Sequence, residues 1–109
     1  MRFPKSVNVA PHRMSILYDD DNRLKELDDL NGLCDFDTGR IWIDRQQTPL
    51  MERDTVLHEV LHAIFDQTGV KRRFKDVDKE FEEDVVVELA PRILQVLRDN
   101  PRLVEYLTS

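Results

Sequence analysis

The chain has 109 residues, a net charge of −6 from 16 Lys and Arg against 22 Asp and Glu, and 40% apolar residues. This is enough for one domain with a modest core, and the acidic balance argues against nucleic acid as a partner, because phosphate binding wants a basic face. A lone cysteine, Cys34, excludes an internal disulfide framework and suits a reducing cytosol.

No run approaches the ~20 apolar residues of a membrane span. The opening Met1-Arg2-Phe3-Pro4-Lys5-Ser6 carries no apolar signal core. A soluble cytoplasmic protein with no membrane partner is expected.

In chain order, residues 1–12, with Pro4 and Pro11, read as a loose arm ahead of the rest of a single domain spanning 1–109. Met14-Ser15-Ile16-Leu17-Tyr18 reads as a first strand. Asp19-Asp20-Asp21 lacks the alternating ligands and glycine of a calcium loop, and suits a cap and first turn instead. A short helix with Leu24, Leu27 and Leu30 should stop at Asn31-Gly32. Leu33–Phe36 and Arg40–Asp44, joined by Asp37-Thr38-Gly39, predict a hairpin. Cys34 within it reads as a small strand or core residue, and Trp42 as core or site wall.

Thr48 and Pro49 then fit the N-cap and first residue of a helix that Gly69 is placed to close. The basic run Lys71-Arg72-Arg73-Phe74-Lys75 reads as a solvated inter-helix loop. A second long helix is expected from Asp76 or Asp78 to Arg98, kinked or split near Ala90 by Pro91. Asn100-Pro101 opens a terminal helix through Tyr106 and Leu107. The class is α+β: a small antiparallel sheet packed against two or three helices.

The segment Val56–Phe65 carries the chemistry. It reads Val-Leu-His-Glu-Val-Leu-His-Ala-Ile-Phe, an HExxH motif in which every other position is apolar. A helix apolar nearly all round belongs in a core, so His58, Glu59 and His62 need partners there. At i, i+4 spacing the two imidazoles share a face about 5–6 Å apart, close enough for one metal ion with Zn–N distances of about 2.0–2.1 Å. Glu59, offset by roughly 100° around the helix, would sit beside the open coordination position as a base for water. An accidental match falls more readily on an exposed charged helix than on this one.

A catalytic zinc usually takes three protein ligands. After His62 the chain reads Ala63-Ile64-Phe65-Asp66-Gln67-Thr68-Gly69, which excludes a third histidine at metzincin spacing. A carboxylate from the next helix is therefore expected, from Glu80, Glu82, Glu83, Asp84 or Glu88, and spacing alone does not choose among them. A carboxylate or carbonyl orienting an imidazole is also expected, and Asp66, one turn beyond His62, reads either as that orienter or as an exposed acid near the helix end. His12, Tyr18 and Tyr106 are the candidate oxyanion donors.

The order of hairpin, HExxH helix and acidic helix resembles the ImmA/IrrE-type zinc metallopeptidases of phages, mobile elements and bacteria, and most of all their short phage-encoded members. The resemblance covers roughly 30–97, through Gly32-Leu33, Arg40-Ile41-Trp42-Ile43-Asp44 and Thr55–Ile64. In that family the third ligand is a glutamate opening an ExxAnxFA pattern. Glu83-Asp84-Val85-Val86-Val87-Glu88-Leu89-Ala90 matches it at Glu83, Leu89 and Ala90 and departs from it at Val86 and Val87. The resemblance thus implies His58, His62 and Glu83 as zinc ligands, with Glu82 and Glu80 next in register, and Glu59 as catalytic base. It further implies a zincin-like domain that hydrolyses an intracellular protein, such as a repressor of a phage or mobile element.

If the strand Ile41–Asp44 lies at the sheet edge, an extended peptide substrate would add to it. The alternative is a non-catalytic zinc-binding interaction module. Since structural zinc sites usually close all four positions, Cys34 would then be the fourth ligand.

Overall fold

Two runs of alternating side chains organise the sheet. In the computed structural model, which describes residues 3–67 and 79–109, His12–Tyr18 forms strand β2, burying Met14 and Ile16 while Arg13, Ser15 and Leu17 stay exposed. Arg40–Ile43 forms β4 and does the same with Ile41 and Ile43. Such alternation builds a sheet with one face on the core. Ser6–Val9 (β1) pairs antiparallel with β2, and Gly32–Asp35 (β3) pairs antiparallel with β4, giving the order β1-β2-β4-β3.

Three expectations are corrected here. Within the expected loose arm, Ser6–Val9 forms a strand, because Val7 and Val9 alternate with Asn8 and pair with Met14 and His12. Pro11 sits in the turn, where its missing N–H costs no ladder bond. The sheet is mixed, since β2 and β4 run parallel with Ile16 beside Ile41 and Tyr18 beside Ile43. Parallel neighbours need a crossover, and the intervening chain through β3 supplies it. Finally, β4 lies between β2 and β3, so both its edges are paired and no substrate can add to it. The α+β class holds.

Within the crossover, Arg23–Asp28 forms helix α1. Its cap comes from the acidic cluster, as expected, but from Asp19. The Leu24 N–H donates to Asp19 Oδ2 at 2.9 Å, while Asn22 carries no side-chain cap bond. The helix ends before Asn31-Gly32, at Asp29, which turns left-handed at φ 52. Beyond it the predicted hairpin forms, with Asp35 Oδ1 accepting from the N–H groups of Asp37 and Thr38 and Gly39 at φ +67 completing the turn.

Pro49–Gln67 is helix α2. Its start is as read: Thr48 Oγ1 accepts from the Met51 N–H at 3.2 Å. It packs across β1, β3 and β4, and Ala63, Val56 and Val60 meet Val9, Met14, Ile16, Ile41 and Ile43 in the core. Trp42 alternates with the buried Ile41 and Ile43. It therefore faces away from α2, in register with Leu17 and Leu33 on the outer face, and is not a wall of the site.

Lys79–Asp99 is helix α3, which packs on α2. It is not split at Pro91. Proline removes one N–H bond and crowds the preceding turn, but Pro91 is exposed at a groove beside α2, while Val86 and Ala90 are completely buried. That contact holds the helix through the defect. Pro101–Leu107 forms helix α4 as expected, with Asn100 capping through its carbonyl, which accepts from Leu103 and Val104. The closure at Gly69, the loop Lys71–Lys75 and the helix start at Asp76 or Asp78 fall outside the described residues. Among those described, no helix is long and apolar enough to cross a membrane.

One ionic contact pins the crossover to the sheet. Asp44, 1% exposed at the end of β4, takes Lys25 of α1 at 3.4 Å, and its N–H donates to the Asn31 carbonyl. A buried carboxylate without its cation is costly. Lys25→Met is accordingly expected to lower unfolding stability, because it leaves the buried Asp44 carboxylate without its cation. Urea denaturation of Lys25→Met, Asp44→Asn and the double variant should show the double variant less affected than the sum of the singles.

Candidate metal centre

Helix α2 meets its surroundings along two adjoining stripes. Thr55, Glu59 and Ala63, one turn apart, are buried. His58 and His62 are half-buried and meet α3. Their rings stand 4.9 Å apart between centroids, in an edge-to-face arrangement.

Both rings aim Nε2 at one point. The two Nε2 atoms lie 3.2 Å apart. Glu83 closes the group from α3, with Oε1 at 2.8 Å from His58 Nε2 and Oε2 at 2.7 Å from His62 Nε2. One ligand atom from each of the three residues lies within 4.8 Å of the others, so His58, His62 and Glu83 form a group that could hold a metal ion.

Two nitrogen lone pairs and a carboxylate crowded this closely call for a positive charge between them, from protons or from a metal ion. Protonation is opposed at His58: burial above all, and then His62, push its pKa down against the pull of Glu83 and Asp54. The spacing suits a metal. Two nitrogens on one tetrahedral zinc at about 2.0–2.1 Å would be about 3.3 Å apart.

Of the acidic candidates, the structure brings Glu83 to both imidazoles. Glu80, Asp84 and Glu88 are exposed and outside the group. Glu82 has a different position, with Oε2 at 2.7 Å from His62 Nδ1 and both side chains largely buried. The carboxylate that orients His62 is thus Glu82, whereas Asp66 is an exposed residue at the end of α2. The expectation of an orienting carboxylate was available from the chemistry. Which acidic residue supplies it depends on how α3 lies against α2.

Glu59 is 5% exposed. Burial, the leading cause, and Glu83 push its pKa up to about 7, against the opposing pull of His62. Strand β3 closes over it. A Cβ at Gly32 would come within 2.6 Å of Thr55 Cγ2 and 3.2 Å of Glu59 Oε2, so only glycine lets the strand pass this close. Gly32 and Asn31 line one side of a cleft of about 410 Å³, and His58, Glu59 and Glu83 line another.

The three proposed oxyanion donors are not part of that lining. His12 and Tyr106 are exposed, and the Tyr18 hydroxyl donates to Glu52 at 3.0 Å. Cys34 is also outside the metal group. Burial, followed by Glu59, Asp66, Asp35 and Glu82, pushes its thiol up to about 12, so it offers no thiolate at neutral pH.

The chain matches no protein-family model, no curated protein and no solved structure.

Two outcomes follow from this geometry. Glu82→Gln is expected to weaken metal binding 10- to 100-fold, in the range for loss of an orienting carboxylate, as measured by competition with a chromogenic chelator. In metal-free protein, the raised pKa of Glu59 means that the folded chain holds this proton more tightly than the unfolded chain. Its contribution is complete below pH 4.5 and is lost as pH rises through about 7. Glu59→Gln should therefore gain stability over the parent by up to about 3 kcal/mol between about pH 4.5 and pH 8. A difference that does not change with pH, in urea melts, would place the carboxyl in solvent.

Proposed function

We propose that the protein is a zinc-dependent metallopeptidase that hydrolyses peptide bonds of an intracellular protein. One observation carries this reading. Two imidazoles and a carboxylate from separate helices converge on one point, and the buried acid of the same HExxH motif stands beside them at a cleft. Two nitrogens and one oxygen form the donor set of catalytic zinc sites that keep one position open. The half-exposed Glu83 leaves the group reachable from outside.

Zinc held there would polarise a peptide carbonyl and acidify water. Glu59 has the location of a general base, a buried carboxyl beside the metal group at the cleft. It would accept the proton of the attacking water and pass it to the leaving amine. Glu82 on Nδ1 keeps the His62 ring from turning, which fixes Nε2 as the nitrogen it presents. β3 is the strand at this end of the sheet, and Gly32 lines the cleft, so an extended substrate would lie along β3.

The resemblance to ImmA/IrrE-type enzymes suggests a regulator of a phage or mobile element as the target, in the cytoplasm. The non-catalytic module is less well supported, since a closed structural site needs a fourth ligand and Cys34 is not in the group.

The test has two parts. Protein purified without added metal should carry close to one zinc per chain by elemental analysis, and His62→Ala should carry almost none. Glu59→Gln should keep the zinc and lose at least 10³-fold of the peptide hydrolysis, as expected for removal of a positioned general base. Full zinc with no hydrolysis by the parent protein of any unfolded or extended substrate would favour the module.

A further inference from the structure

The cleft at the metal group has a second end. It shares Met51, Asp54 and Pro91 with an adjoining groove of about 360 Å³, so the two spaces lie side by side along these residues. The walls of that groove are apolar at Leu50 and Leu94, and Gln95, Arg98 and Asp99 line it as well. The metal-side cleft is lined by Asp29, Asp54, Glu59 and Glu83, and by no lysine or arginine among the described residues.

Three of these acids have partners or a role. Asp29 takes Lys25 at 3.3 Å, Glu83 bridges the two imidazoles, and Glu59 is the buried acid beside them. Asp54 remains. It stands one turn before His58 and is half-buried, with Oδ1 shut off from solvent and without a hydrogen-bond partner. No ion pair joins it to Arg98 among the described residues. With one oxygen desolvated and unpaired the carboxylate is poorly compensated, and a cation beside its accessible side would offset that.

We infer that the joined groove is a side-chain subsite for an arginine or lysine of the substrate, with Asp54 as the residue that determines specificity. The inference rests on the metallopeptidase reading and adds the substrate class. A long cationic side chain fits both features of the groove. Its methylenes lie along Met51, Pro91 and Leu94, and its head reaches Asp54. An acidic side chain in the groove would meet Asp54 and Asp99 against the single cation Arg98, and binds more weakly.

Binding probes test this without turnover. The Nα-acetyl hydroxamates of arginine, lysine, norleucine and glutamate are titrated calorimetrically into zinc-loaded parent protein, Asp54→Asn and Arg98→Ala. The arginine and lysine probes are expected to bind the parent about tenfold more tightly than norleucine, with glutamate the weakest. The arginine-to-norleucine ratio should fall to about two or less in Asp54→Asn and persist in Arg98→Ala. Equal binding of arginine and norleucine by the parent, or an undiminished ratio in Asp54→Asn, overturns the subsite. A cationic preference in a protein that hydrolyses no peptide would keep the subsite and remove the peptidase reading. Hydrolysis with no cationic preference would do the reverse.

Discussion

His62 is held through both ring nitrogens by consecutive glutamates, Glu82 on Nδ1 and Glu83 on Nε2. That clamp joins α2 to α3 at the point where the chemistry is concentrated. Neighbouring residues on a helix are offset by about 100°, so the two carboxylates can reach one imidazole only if the ring enters between them. The entry depends on Val86 and Ala90, buried against α2 one and two turns further along. Apolar packing sets the height of α3, and the height of α3 decides which carboxylate meets which nitrogen.

The sheet has an equally direct part. Only one of its faces is covered by α2, and the stripe of α2 that contains Thr55, Glu59 and Ala63 is the one pressed toward β3 and the core. Glu59 is therefore taken out of water by the same packing that stabilises the domain. Its proton affinity rises because of where the helix lies. The absence of a side chain at Gly32 is what allows this approach.

Buried acids are handled in different ways around the molecule. Asp44 has Lys25, Asp19 has a backbone N–H of α1, and Glu82 has His62. Each of these secures a junction between elements. Among the described residues, Glu59 and Asp54 make no such junction, their electrostatic neighbours being the imidazoles of the site, and both line the cleft. Groups left without internal compensation where a ligand can reach them mark a binding site more specifically than net charge does.

Much was legible in the chain itself. Thr48-Pro49 announced the start of α2 and Asp37-Thr38-Gly39 the hairpin, because caps and turns depend on residues a few positions apart. The HExxH spacing put His58 and His62 on one face for the same reason. The strand in residues 6–9 was also readable, from Val7 and Val9 alternating with Asn8, but the two prolines masked it. What the local pattern did not contain was anything set by distant contacts. These include the parallel pairing of β2 with β4, the internal place of β4, the outward face of Trp42, the persistence of α3 through Pro91, and the assignment of Glu83 and Glu82 to the two sides of His62. Helical periodicity and capping act over one or two turns, so the sequence alone determined the elements and the histidine pair. The partners of that pair lie 20 or more residues away, and only the packing of one helix on another decided them.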